Sequence, residues 1–512
     1  MIKNHICIIG AGIAGLTLAK LIRDQSPQQT KVTLIESGSY KIKRSNQSLN
    51  TIKSEGTPYL GLTEGQFRVV GGNSLRWGGQ MIPNLPWQLS SREHVGLDSW
   101  PLSYDDIYTF GSEVKSLMGI PPRDIHKKEQ KFAEFLGTHI DDHQISEWPP
   151  YRKRNFQNLI ATKLLADPNV SIMTDCTVSK LLFNAAEGGS KINGALLADS
   201  NDIIKADYFM ICAGAIQTIK LLYGSLKNSG IDQPRVGDDF TDHLSTRVGK
   251  IDHKNYRKLK NSLSPFFKGS NFYYPRLHLP KKLQEDHSLP GAFLHMQVIG
   301  RPGSALENIK TMFRSIQEGK LSLPDFKEIW SYLLELPYFL KLAAARFFGF
   351  SIPVPSDSTI ELFIDIEQLP TSNNCFSEHR SVDATEMEIC LNWSAHENTL
   401  RTVGVFLDYL ETEIFTPKEI EFERYSPSKI QSGLIDTYHP CGGTVMGDAK
   451  EKNVVDTDLK INGVDNGFIL STSVFPSSAT ANPTFTLLCL VFRFSKYFDK
   501  ILKTKGNTFE IK

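Results

Sequence analysis

Ile6-Cys7-Ile8-Ile9-Gly10-Ala11-Gly12-Ile13-Ala14-Gly15 is the stretch that decides the fold. A short apolar run enters three glycines spaced G-x-G-x-x-G. Gly10 permits a tight turn, Gly12 lets the backbone approach a pyrophosphate, and Gly15 lets the next helix pack closely on the sheet. The start of that helix, at Ile13 and Ala14, faces the phosphates. Leu16, Leu18, Ala19, Leu21 and Ile22 give the helix its apolar residues, Pro27 closes it, and Lys31-Val32-Thr33-Leu34-Ile35-Glu36 reads as the second strand. Glu36 is placed to take ribose hydroxyls. Strand, helix and acid agree, so residues 5–37 form one βαβ unit of a parallel sheet with a dinucleotide at its turn. This unit alone does not separate NAD from FAD.

The rest of the chain bounds the class. It has 512 residues, 40% apolar and 22% charged, enough for two or three domains of globular composition. A net charge of +1 leaves no electrostatic footprint for nucleic acid. The seven cysteines show no C-x-x-C pair, which argues against a disulfide framework or a zinc site and for a reducing compartment. No ligand cluster with metal spacing is visible. Met1-Ile2-Lys3-Asn4-His5 leads straight into the first strand, so no signal peptide and a cytoplasmic location are expected. Ile329 to Phe350 is rich in apolar residues, but Glu335, Pro337, Lys341 and Arg346 interrupt it. No run of about 18 apolar residues remains to span a bilayer. A buried helix pair broken at Pro337 is expected there, with an amphipathic lid or membrane-surface contact as the alternative.

Residues 40–60 are polar and read as loop. Val69-Val70-Gly71-Gly72-Asn73-Ser74 is a second strand-to-turn passage, and residues 100–119 read as helical with Ser103 as N-cap. From Val170 to Leu222 a strand meander turns at Gly188-Gly189 and returns to the nucleotide-binding sheet through Tyr208-Phe209-Met210-Ile211. Between 245 and 430, alternating segments such as Thr359 to Ile366 and Glu386 to Leu391 predict antiparallel strands. His253 to Lys260 is basic and reads as a solvated loop. The fold class is therefore α/β with an α+β second domain. Residues 1–90, 160–245 and 430–512 form a discontinuous Rossmann-like domain; 91–159 and 246–429 form a substrate or lid domain on a mostly antiparallel sheet.

Further motifs narrow the cofactor. They are Gly71-Gly72-Asn73-Ser74-Leu75-Arg76-Trp77-Gly78-Gly79, Trp100-Pro101-Leu102-Ser103-Tyr104-Asp105-Asp106-Ile107, Cys212-Ala213-Gly214-Ala215-Ile216-Gln217-Thr218, Val236 to His243, and Tyr438-His439-Pro440-Cys441-Gly442-Gly443-Thr444-Val445-Met446-Gly447 with Ala481-Asn482-Pro483-Thr484. In this order they resemble the glucose–methanol–choline (GMC) family of FAD-dependent oxidoreductases over most of the chain, least between 250 and 350. The resemblance implies FAD as cofactor. It gives His439 the role of catalytic histidine and Asn482 that of its His-or-Asn partner. It places Val178 against the adenine, Gly71, Gly72, Asn73, Ser74, Trp77 and Gly78 around the pyrophosphate and flavin, and Ala213, Gly214, Ser471 and Thr484 among the other cofactor positions. The chain departs from the family pattern at Gly443 (usually Thr), Ser471 (usually Asp), Asn73 (usually Ser) and Trp77, which a sugar-oxidising branch shares. Relatives that bind FAD covalently use a His in the second glycine motif. Here that neighbourhood has Arg76 and no His from 60 to 90, which implies non-covalent FAD.

The residues support the same chemistry directly. Alcohol oxidation removes a hydroxyl proton and a hydride from one carbon. An imidazole can take the proton and an amide can donate to the developing alkoxide. His243 and Asp242 read as structural or cofactor-proximal, and Cys441 and Cys489 as buried filler. The expected activity is oxidation of a CH–OH group of a sugar, polyol or related alcohol, with the electron acceptor left open by the motifs. A hydrophobic alcohol substrate, a lyase on the same fold, and a redox-inactive flavin-binding protein are the alternatives.

Overall fold

A computed structural model describes residues 4–122, 125–186, 189–226, 229, 231, 235–269, 271–317, 336–349, 351–355, 357–379, 388–451 and 453–507. The opening unit folds as its pattern requires. Strand Asn4–Ile9 pairs in parallel with Thr30–Ile35, and Ile6, Cys7 and Ile8 have no exposed surface. A continuous apolar run of this kind marks a parallel strand covered on both faces. The full sheet has five parallel strands in the order Gly467–Ile469, Tyr208–Ile211, Asn4–Ile9, Thr30–Ile35, Val170–Met173. Helix Ile13–Gln25 buries Leu16, Leu18, Ala19 and Ile22, and the C-terminal helix Pro483–Asn507 packs against it. The three segments that meet in this sheet are far apart in sequence.

The second large sheet is antiparallel. Its strands run in the order Phe266–Lys268, Asn271–His278, Ala292–Ile299, Thr359–Glu367, His243–Ile251 and Glu423–Arg424, with His143–Trp148 on the second strand and Ile435–Asp436 on the fifth. Side chains alternate between its faces. Leu277, Leu294, Leu362, Ile364 and Ile366 belong to one buried apolar cluster with Val403, Phe406 and Leu407. The opposite face carries His243, Ser245, Tyr274, Arg276, Phe293, His295, Phe363, Asp365 and Glu367, as the register pairs His243–Glu367, Ser245–Asp365 and His278–Phe293 require. Two smaller sheets complete the chain: Val178–Ala186, Gly189–Leu197 and Ile203–Ile204; and Cys375–His379, Glu388–Trp393 and Lys53–Gly56. The last of these ties Lys53–Gly56 to a strand of the 246–429 segment, and His243–Ile251 runs across the boundary expected at 245.

Several local expectations change. His253 to Lys260 is helix, not loop: it lies in His253–Leu263, where Asp252 caps the N-terminus by accepting from the Asn255 N–H at 2.7 Å. Tyr256, Leu259 and Leu263 form a buried stripe while Lys254 and Arg257 stay outside it, so apolar spacing outweighs charge. The expected buried helix pair near Pro337 is also revised. Leu336–Phe348 is a helix that runs through Pro337. It is largely exposed, with Phe347 at 85% and Phe348 at 73%. Residues 329–335 and 350 of that pair, like Gly188 and residues 386–387, lie outside the described residues. Residues 40–60 contain the short helix Arg44–Gln47 and the exposed strand Lys53–Gly56 rather than loop alone. Val69 makes only an isolated bridge to Ser39. Residues 100–119 hold two short helices, and Ser103 caps the first as expected. Among the described residues no helix is long and apolar enough to cross a membrane.

Candidate active site

The carboxyl ends of the parallel strands open onto a cavity of about 980 Å³. That is at the upper end for small-molecule sites. Of the residues singled out by sequence, Gly10, Gly12, Ile13, Ala14, Glu36, Gly72, Asn73, Val178, Ala213, Gly214, His439, Ser471 and Thr484 line it. The glycines of the first turn have separate reasons. A Cβ on Gly10 would lie 2.5 Å from the Cys212 carbonyl oxygen, and one on Gly15 would lie 2.0 Å from the Gly10 carbonyl oxygen. A Cβ on Gly12 would meet nothing within 4 Å. No protein neighbour requires that glycine, so its bare backbone is free for a ligand at the helix N-terminus.

Glu36 is buried. Its carboxylate accepts from the Ala11 N–H at 2.9 Å and the Gly38 N–H at 2.7 Å, and burial raises its pKa against those bonds. Each oxygen keeps a lone pair for a hydroxyl. Arg68, which the sequence reading passed over, lines the cavity nearby and donates to Asn50, Ser37 and Gln217 at 2.7, 2.8 and 2.6 Å. Lys220 lines the same wall and adds a second cation.

Gly15, Gly71, Ser74, Trp77, Gly78 and Asn482 do not line the cavity. Gly71, at φ 96°, starts the turn Gly72–Leu75. The Ser74 hydroxyl donates to the Gly71 carbonyl at 2.6 Å and accepts from the Phe156 N–H at 3.0 Å. Asn73 bridges Gly65 and Phe67 by its amide. The Trp77 indole donates to the Arg154 carbonyl at 2.8 Å, and a Cβ on Gly78 would meet the Trp148 ring at 2.9 Å. Gly71, Ser74, Trp77 and Gly78 thus shape the wall from behind. Ser471, which lines the other end, accepts from the Ser473 N–H at 3.0 Å.

His439 and Asn482, 43 positions apart, meet at 3.0 Å between Nε2 and the amide nitrogen. His439 Nδ1 lies 2.9 Å from the Thr437 hydroxyl and 3.3 Å from His243 Nδ1. Asp242 accepts from the His439 N–H at 3.0 Å, the His243 N–H at 2.6 Å and the Tyr59 hydroxyl at 2.5 Å. Arg276, from the antiparallel sheet, donates to Asn482 Oδ1, to Gln80 at 3.0 Å and to the Thr480 carbonyl at 3.1 Å. Burial, then His243 and Arg276, push the His439 pKa down to about 3; burial lowers His243 as well. Both imidazoles are neutral at physiological pH, which suits a proton acceptor. Burial holds Asp242 up at about 7. Arg276 and Thr437 were missed from sequence. Arg276 lies where family likeness is weakest, and its signal, an arginine inside an apolar strand pattern, is one residue long.

Comparison with known proteins places this geometry. Two family models, both described as GMC oxidoreductase, match residues 142–245 and 371–490. A pyridoxine 4-oxidase of Microbacterium luteolum is 24% identical over 340 residues, covering 63% of this chain and 57% of its own length, so the chain spans less than two thirds of that relative. The crystal structure of a pyridoxine 4-oxidase from Mesorbium loti superposes with a TM-score of 0.59 at 15% identity, over 97% of this chain and 99% of its own, and so shares the fold. The chain thus carries matches to both GMC oxidoreductase family models, and the motif residues within each gather at one cavity.

Proposed function

We propose that this chain is an FAD-dependent oxidoreductase that oxidises the CH–OH group of a small alcohol. The observation that carries the reading is His439, which lines the same cavity as the G-x-G-x-x-G turn and is bonded from behind by Asn482. The turn and its helix N-terminus would hold the pyrophosphate, Glu36 the ribose, and Val178 the adenine side. With no His from residue 60 to 90, FAD is held without a covalent bond. When bound, FAD supplies the acceptor for a hydride. His439 Nε2 takes the hydroxyl proton, and the Asn482 amide donates to the oxygen as charge builds there. In the free site these two groups bond to each other, so a substrate hydroxyl would take the place of that bond, giving its proton to His439 and accepting from the Asn482 amide. Arg276 holds the Asn482 amide from the other side. The parallel-sheet segments thus form the cofactor half and the antiparallel sheet the substrate half.

A hydroxymethyl group on a flat ring is the substrate we favour. Relatives of this chain include pyridoxine 4-oxidases, and the sheet face beside Arg276 carries Phe293, with the guanidinium 3.9 Å from its ring, and stacked His295 and Phe363 rings at 5.4 Å. A sugar or polyol is the second reading. It draws on Trp77, whose indole N–H is tied to the Arg154 carbonyl. The test is anaerobic mixing of the FAD-loaded protein with pyridine methanols, sugars, polyols and long-chain alcohols. One of the first class should bleach the flavin, and His439→Ala should slow that step by roughly 10²–10⁴-fold. Unchanged absorbance across the panel would overturn the reading in favour of a lyase or a binding protein.

A further inference from the structure

We infer that His243 is a positioning residue that fixes the tautomer of His439, directing the lone pair of His439 Nε2 at the substrate. This rests on the reading of His439 as the base. The argument starts from a backbone group. His243 Nε2 lies 2.9 Å from the Ala479 carbonyl oxygen and 3.4 Å from that of Ser478. A carbonyl only accepts, so His243 Nε2 carries the hydrogen. A neutral imidazole has one N–H, which leaves His243 Nδ1 with a lone pair. That lone pair faces His439 Nδ1 at 3.3 Å. Two lone pairs cannot face each other there, so His439 Nδ1 bears the hydrogen.

The second neighbour agrees. The Thr437 hydroxyl, 2.9 Å from His439 Nδ1, donates its own hydrogen to Asp242 at 3.2 Å. Its oxygen is left to accept. The far side agrees too. Arg276 has only donors, so its bond to Asn482 turns the amide oxygen toward it and the amide NH₂ toward His439 Nε2. An NH₂ meets a lone pair. From the Ala479 carbonyl through His243, His439 and Asn482 to Arg276, every hydrogen has one consistent position. His243 enters the large sheet as the first residue of strand His243–Ile251, and Ala479 comes from the C-terminal segment, so the tautomer is set by how the two halves meet.

Two substitutions separate this role from simple anchoring. Asn at 243 places an amide oxygen near the Nδ1 position and loses the bond to Ala479. Gln places an amide near the Nε2 position and loses the acceptor for His439. Flavin reduction, measured per bound FAD, should fall roughly 10- to 100-fold in His243→Gln and less in His243→Asn. A full tautomer reversal in a catalytic triad loses roughly 10⁴-fold; Thr437 keeps the effect below that. Histidine-selective ¹⁵N spectra of the FAD-loaded protein, with His439→Ala for assignment, should show a pyridine-type Nε2 and a pyrrole-type Nδ1 at His439. His243→Gln should shift that resonance toward a tautomer mixture. Gln outperforming Asn, or a protonated Nε2 in the unsubstituted protein, would overturn the inference. Full flavin reduction in His439→Ala would instead overturn the assignment of the base.

Discussion

Gly443 offers a test of why this chain leaves its family's pattern four residues from the base. Its φ is 93°, and a Cβ built there lies 2.3 Å from Ile219 Cδ1 and 2.8 Å from Cγ1. Gly443→Ala therefore meets two penalties. An L-residue in the left-handed region costs about 1–2 kcal/mol, and forcing a methyl into a packed core costs about 1–3 kcal/mol. Together the loss is about 2–5 kcal/mol. Ile219→Val removes the δ-methyl that the new Cβ would strike and by itself costs about 0.5–1.5 kcal/mol. In the Gly443→Ala background that deletion relieves the overlap, so the double variant should be more stable than the sum of the singles by about 1–2 kcal/mol. Denaturant midpoints of the parent, the two single variants and the double variant, at one fixed excess of FAD, give this coupling. Additivity within about 0.5 kcal/mol would refute Ile219 as the reason for the glycine. A neutral Gly443→Ala would refute the backbone argument as well.

Other outcomes follow from the same geometry. The His439 pKa of about 3 lies below the usual 6.5, so the acid limb of the flavin-reduction rate should fall below about pH 4. An apparent pKa near 6.5 in a pH series of stopped-flow traces would contradict the buried, neutral base. The sign for stability is the same. Between pH 6.5 and 3 the unfolded chain binds a proton that native His439 refuses, as it does for His278 at about 3 and His143 at about 4, so these groups withdraw stability as pH falls. Asp242, at about 7, acts in the opposite direction, binding its proton in the native state first. Gly12→Ala should leave the apoprotein's unfolding midpoint nearly unchanged yet weaken FAD by about tenfold or more, about 1.4 kcal/mol, in a flavin-fluorescence titration. Wild-type FAD affinity there would mean that no ligand approaches that backbone. Arg276→Met should slow flavin reduction by roughly 10²–10³-fold with FAD still bound, because the Asn482 amide loses the donor that orients it. A rate within a factor of about two of the parent would remove Arg276 from the site.

The parallel sheet was legible from sequence because its signal is local and redundant. The run Ile6 to Ile9, the glycines at fixed spacing and Glu36 each demand the same turn, and the strand pairs as its pattern demands. The pairing of His439 with Asn482 was legible only through motif resemblance, since they stand 43 positions apart with a strand between them. The helix His253–Leu263 was misread because its charges were weighed before the spacing of Tyr256, Leu259 and Leu263. Leu336–Phe348 was misread for the reverse reason: apolar content suggested burial, but burial depends on what an element packs against, which composition does not contain.

The polar face of the antiparallel sheet was the least legible part and bears most directly on the site. Alternation predicts that Thr359–Glu367 has two faces, but period two carries no information about which face meets a second domain. In the structure Phe363, Asp365 and Glu367 share the face turned to the site, where Glu367 is 1% exposed and holds Arg92 in a bidentate pair at 2.6 Å. Asp365, lowered to about 2 by His295, Ser245 and Arg276 against its own burial, keeps an anion beside the guanidinium that orients Asn482. A buried charge survives only where partners are already placed. The antiparallel sheet therefore supplies the fixed charges, and the parallel sheet supplies the turn. Their junction carries the neutral base, with His243 entering from one side and His439 from the other. A substitution that lets the two sheets slip would leave every motif intact and still remove the hydrogen bonds that tell His439 which nitrogen to present.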